Sequence, residues 1–75
     1  MPRFFFDAGD GDRLSRDDEG LDFLDLAQAR KAALISLAEA ARDELPKGER
    51  HLFAVVIRDA EGRQLLAASL LLRIE

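Results

Sequence analysis

The stretch D-L-A-Q-A-R-K-A-A-L-I-S-L-A-E-A-A-R-D-E-L, residues 25–45, constrains the fold more than any other part of the chain. It alone sustains helical periodicity. At about 100° per residue, Leu26, Ala29, Ala33, Leu34, Leu37, Ala40, Ala41 and Leu45 fall on one broad apolar stripe. Gln28, Lys31, Glu39, Arg42 and Asp43 fall outside it. A helix of this kind must bury its stripe against something, and the segments on either side read as strands. Asp25 followed by Gln28 fits a capping box, with Asp22 adding negative charge near the positive end of the helix. Leu45-Pro46-Lys47-Gly48 ends it, because proline cannot continue the turn. Arg30 sits at the margin of the stripe, where its stem lies on the core and its head reaches water. Ile35 points away from the stripe and is expected as a singly exposed apolar residue.

Before the helix, R-F-F-F-D-A at residues 3–8 reads as a strand, with Phe4 and Phe6 on one face and Phe5 on the other. A strand apolar on both faces belongs inside a sheet. Gly9-Asp10-Gly11-Asp12 suits a hairpin turn, and Arg13 to Arg16 a short, polar returning strand at an edge. Asp17-Asp18-Glu19-Gly20 closes that unit, and Leu21, Phe23 and Leu24 lead into the helix. After the helix, His51 to Asp59 is the strongest strand signal, and Asp59-Ala60-Glu61-Gly62-Arg63 a tight hairpin with Gly62 left-handed. Gln64 to Ile74 returns as a long leucine-rich strand. With Asp59 opposite Arg63, Ile57 faces Leu65, Val55 faces Ala67 and Phe53 faces Ser69. On the other face Val56, Ala54 and Leu52 meet Leu66, Ala68 and Leu70.

The expected fold is therefore α+β: a ββαββ plan whose four-stranded, mostly antiparallel sheet has the order 2-1-3-4, with one helix (25–45) on one face. The alternative order 1-2-3-4 needs a parallel pair around the helical crossover and puts the polar second strand inside. One helix covers one face, yet both faces of the second hairpin are apolar. Taking the even-numbered face of that hairpin as the covered one, the uncovered face presents Phe5, Phe53, Val55, Ile57, Leu65 and Leu71. With the faces reversed, Val56, Leu66 and Leu70 take their place. Such a patch exceeds what monomers normally show, so a self-association or protein-partner surface is expected, on the face or at an edge.

Size and charge point the same way. A 75-residue chain is read as one domain, 1–75, and buries only about 60% of its unfolded surface, so association would help it. The net charge of −4, with Asp7, Asp10, Asp12, Asp17, Asp18, Glu19, Asp22 and Asp25 all early, disfavours binding along a phosphate backbone. Arg3, Arg13, Arg16, Arg58, Arg63 and Arg73, with Phe5 or Phe53 to stack bases, keep a nucleic-acid-binding or regulatory module as the second reading. There is no cysteine, hence no disulfide and no thiolate metal site, which fits a reducing compartment. No signal-peptide pattern and no apolar run near ~20 residues occurs, so a soluble, cytoplasmic protein without membrane contact is expected.

Chemistry-bearing motifs are weak. Asp10 and Asp12 begin a D-x-D pattern, but Leu14 stands where a calcium loop needs an oxygen ligand. His51 is the single histidine and assembles no familiar zinc site. Ser15, Ser36 and Ser69 lack a nucleophile-elbow context or a neighbouring base, and the glycines form no phosphate cradle. No catalytic residue, metal site or cofactor is expected, and no enzyme.

M-P-R-F-F-F at the start, D-D-E-G at Asp17 to Gly20, D-L-A-Q-A-R-K-A-A at Asp25 to Ala33 and R-D-A-E-G-R at Arg58 to Arg63 together resemble a bacterial domain-of-unknown-function family of short proteins. Its members open M-P-R-[YF]-[YF]-F. The resemblance covers essentially the whole chain and implies the same ββαββ plan; it carries no activity. A weaker likeness, of architecture alone, is to the N-terminal domain of HicB-type antitoxins, in which a sheet with a crossing helix binds a toxin. This chain lacks the appended DNA-binding element and the glycine-rich sequence before the helix. Likeness of fold does not establish function.

Overall fold

Five elements follow one another in the expected order: strand β1 (Arg3–Asp10), strand β2 (Leu21–Asp22), helix α1 (Leu26–Glu44), strand β3 (Arg50–Arg58) and strand β4 (Gln64–Arg73). The computed structural model describes residues 1–10, 13–44, 46 and 50–75, the side chain of Arg50 excepted. The strands form one antiparallel sheet in the order β2-β1-β3-β4, with α1 on one face. The fold is α+β, ββαββ. Asp25 caps the helix, its Oδ1 accepting from the Gln28 N–H at 3.0 Å. Asp22 serves elsewhere: Arg3 Nε and Nη2 donate to its carboxylate at 3.0 and 3.3 Å. Gly11 and Asp12 of the first turn, and Leu45, Lys47 and Gly48 of the helix stop, lie outside the described residues.

The buried seam of α1 is Ala29, Ala33, Leu37 and Ala41, narrower than the stripe of the sequence. Leu26, Leu34 and Ala40 keep substantial exposure, and Ile35 points to solvent as expected. Three of the four seam residues are alanine, so the helix backbone can settle close to the sheet. Beneath it lie Phe53, Val55 and Ile57 of β3, each 3% exposed or less, with Phe4 beside them. The Phe23 ring closes the end of this core, 6.4 Å from Phe4 and 5.7 Å from Phe6 between centroids.

That placement reverses the expected covering of the sheet. Phe53, Val55 and Ile57, assigned by the sequence to the uncovered face, are the core. The hairpin loop itself pairs as expected: the Asp59 N–H donates to Arg63 O at 2.9 Å, and Gly62 is left-handed with φ 87°. One step later Arg58 opposes Gln64, but Ile57 opposes Leu66, so Leu65 stands without a partner. This one-residue bulge shifts everything beyond it, pairing Val55 with Ala68 and Phe53 with Leu70. Odd residues of β3 therefore share a face with even residues of β4. The helix takes that face because Phe4, Phe6, Phe53, Val55 and Ile57 offer more apolar volume than Phe5, Leu52, Ala54 and Val56 opposite.

The second strand also differs from expectation. Arg13 to Arg16 holds only an isolated bridge, Ala8 with Ser15, through hydrogen bonds of 3.2 and 2.8 Å. Regular pairing resumes at Leu21–Asp22, opposite Phe4 and Arg3. Between the two points the outer segment carries two more residues than β1, and the surplus loops out at Asp18 to Gly20.

The bulge makes a direct prediction. Deleting Leu65 restores strict alternation between Gln64 and Leu66 and keeps the register, so urea unfolding should place the variant within about 1 kcal/mol of the parent. Deleting Val56 turns β3 core residues outward and should cost more than about 3 kcal/mol.

Candidate functional site

The sheet face away from α1 carries a polar knot built on Asp17. Where a full outer strand would offer a carbonyl to β1, Asp17 Oδ2 accepts the Phe6 N–H at 3.0 Å. Its other oxygen accepts the N–H groups of Glu19 and Gly20 at 3.0 and 3.1 Å, closing the loop of the D-D-E-G motif. The Asp17 N–H in turn donates to Asp7 Oδ1 at 2.9 Å. Arg58 Nε and Nη2 grip the Asp7 carboxylate at 2.6 and 3.0 Å, and Nη2 also reaches Asp17 O at 3.0 Å. The guanidinium lies over the Phe5 ring, 5.3 Å from its centroid. Gly20 is required at the loop's end: its φ is 73°, and a Cβ there would come within about 3 Å of Arg3 Cγ, Phe4 O and Phe5 Cε2.

These contacts set the charges. The Arg58 hydrogen bond, opposed by burial and helped by the Asp17 N–H, holds the Asp7 carboxyl below the usual carboxylate range. Asp17 is lowered chiefly by the Phe6 N–H and then the Gly20 N–H. Arg58 is raised in return by its bond to Asp7. In the β3–β4 loop Asp59 is lowered, first by the Arg63 N–H.

Around the knot the open face is apolar. Leu52, Ala54 and Val56 of β3 are half-buried there, and Ala67, Ser69 and Leu71 of β4 are exposed. Of the residues expected at an interaction surface, Phe5 is on this face but half-buried under Arg58, while Leu71 is 52% exposed. Leu65 is 38% exposed at the bulge. Of the alternates, Val56 is on the open face, Leu66 packs against the core, and Leu70 is on the helix side yet 43% exposed. β4 is the outermost strand, with β3 on one side and no described strand on the other. Between Gln64 and Arg73 it contains neither charge nor proline.

On the helix side, His51 stacks on Phe53 with centroids 4.4 Å apart. Its Nε2 is buried and unbonded, 3.4 Å from Asp10 Oδ2. Among the described residues no group of three or more His, Cys, Asp or Glu side chains is placed to hold a metal, and no helix is long and apolar enough to cross a membrane.

A family model described as "Domain of unknown function (DUF6894)" matches residues 3–71. The chain belongs to this family. No curated protein and no solved structure matches it. The DUF6894 span takes in the whole knot, from Asp7 through Asp17 to Arg58, and most of β4. In the sequence Asp17 and Gly20 read as turn chemistry and Arg58 as a strand-end arginine; the fold joins Asp17 and Arg58 through Asp7. The available signal was alternation, which puts Asp7 and Arg58 on the faces of Phe5 and Val56 respectively.

Two consequences are measurable. The native pKa values of Asp7 and Asp17 are depressed, so their contribution to stability is complete above the ordinary carboxylate value of about 4 and is lost as pH falls through the lower native values. The urea midpoint should stay level from about pH 7 to 5 and fall below about pH 4; Asp7→Asn should be less stable at neutral pH and show a shallower acid limb. Asp17→Ala leaves the N–H groups of Phe6, Glu19 and Gly20 without their acceptor and should cost about 1–3 kcal/mol in the same assay.

Proposed function

We propose that this DUF6894 domain is a small, non-catalytic protein-interaction module that associates with a second copy through the free edge of β4. The carrying observation is that edge itself. Edge strands are normally blunted by shortness, charge, proline or bulges along their length. The other edge of this sheet obeys the rule, since β2 is two residues long. β4 does not: ten residues long, it is uncharged inside, and its one bulge lies next to the hairpin loop, leaving Leu66 to Leu72 regular. Apolar side chains flank the edge above and below the sheet, Leu70 on the helix side and Leu71 on the open side, with Leu65 near the loop.

The strand is self-complementary. A two-fold axis through Ser69, perpendicular to the sheet, sets Leu66 against Leu72, Ala67 against Leu71 and Ala68 against Leu70, each pair sharing a face. Leucine meets alanine in two of these three pairs and leucine meets leucine in the third, and the two helices lie on the same side. Nucleic acid is the weaker partner on this reading. Arg58 is committed to Asp7, Phe5 is covered by Arg58, and acids crowd the same face.

Light scattering at low micromolar concentration should return twice the mass of the chain. Leu70→Lys combined with Leu71→Lys should give a monomer with unchanged circular dichroism. Val56→Lys, on the open face but off the edge, should leave the dimer intact. A parent chain that stays monomeric into the millimolar range, or a dimer broken by Val56→Lys and not by the edge pair, overturns the proposal.

A further inference from the structure

Four strands at about 4.8 Å spacing span roughly 14 Å between the outer strand axes, wider than one helix of about 10 Å, and this chain supplies one helix. Helix α1 packs on β3 and β4. Along its other flank, above β1, runs a trough made of two adjoining cavities of about 350 and 320 Å³ that share Ala8, Ser36 and Val55. Phe6 floors one end, and Ala32, Ser36 and Ala40 form the helix wall. Those three residues recur every turn and are small, so a neighbouring backbone can come close. From Ala32 to Asp43 the wall is about 16 Å long, three turns of helix. Exposed Leu21 extends the apolar rim.

The described charged residues that line the trough have one sign. Carboxylates stand at both ends, Asp10 and Asp43 at one and Glu19 at the other. Among the described residues no lysine, arginine or histidine lines either cavity. We infer that this trough docks an amphipathic helix of another protein, apolar on the buried face and basic on its flanks, which completes the second half of the helical layer. The occupant lies beside α1, and helix-in-groove recognition of this kind is read through apolar anchors at i, i+3, i+4 and i+7. The inference stands apart from the β4 edge, which is on the far side of the helix and leaves the trough free.

The test uses two designed peptides of about 14 residues, each a helix with leucines at those anchor spacings, one flanked by lysines and the other by glutamates. Fluorescence anisotropy should show the lysine peptide binding at least about tenfold more tightly than the glutamate peptide, and weakening as salt is raised. Amide shifts in a labelled-protein titration should centre on Ala8, Ala32, Ser36 and Ala40. Ser36→Arg, at an exposed helix position, should keep the fold by circular dichroism and lose binding about tenfold or more. Equal affinity for the two peptides, shifts centred on β4 or the open face, or indifference to Ser36→Arg overturns the inference. So does a light-scattering dimer that Ser36→Arg abolishes while the Leu70 and Leu71 substitutions leave it intact, since the trough's occupant would then be a second copy.

Discussion

One helix has to serve a four-stranded sheet, and most of this structure follows from that shortage. Alanine at three of the four seam positions lets α1 lie close over β3, where Phe53, Val55 and Ile57 give the richest apolar footing. Choosing that footing settles the rest. The face of Leu52, Ala54 and Val56 is left to the other side, β1 is left half-covered beneath the trough, and β4 is left at the margin with no described strand on its outer edge. A chain of this size has little core to spare, so surfaces left open by geometry are where association adds most.

The sheet also lacks a full outer strand, and the Asp17 knot stands in for it. A carboxylate does for the Phe6 N–H what a strand carbonyl would do, while the same group closes its own loop through Glu19 and Gly20. Through Asp7 and Arg58 the knot ties β1 and the Asp17 loop to the end of β3, 51 residues beyond Asp7. Half-buried, bidentate and backed by backbone donors, this pair differs from the surface ion pairs Arg16–Asp18 and Arg73–Glu75, whose side chains are mostly in water and add little. Its further effect is on register. Arg58 reaches Asp7 and the Asp17 carbonyl together only where Phe5 opposes Arg58, as it does.

What could be read from the sequence was what local chemistry dictates. The helix span, the Asp25 cap, the left-handed Gly62 and the strand order all rest on a few adjacent residues each. The covered face did not. Q-L-L-A-A-S-L-L-L is nearly unchanged by a slip of one residue, which exchanges Leu65 for Leu66, Ala67 for Ala68 and Leu70 for Leu71. No pattern in β4 chooses between the two registers, so the bulge at Leu65 has no signature in the sequence; Phe53, Val55 and Ile57 lie under the helix, while Phe5 and Leu71 lie on the open face. The knot was hidden for another reason. An aspartate in an acidic turn has an adequate local explanation, and its bond to Phe6 spans eleven residues.

The same degeneracy that hid the register fits β4 to an edge role. A strand whose two faces are interchangeable, leucine for leucine and alanine for alanine, offers a new neighbour the same apolar rim above and below the sheet. Extension at β4 carries the sheet onward in the one direction where it is not already closed, because β2 is too short and the knot too polar at the opposite side. Two copies joined there would bring their α1 helices together over the middle of one continuous sheet, with the β1 troughs facing outward at either end. Self-association and capture of a basic helix would then use separate surfaces. Both are the unfilled places that a single helix on four strands must leave.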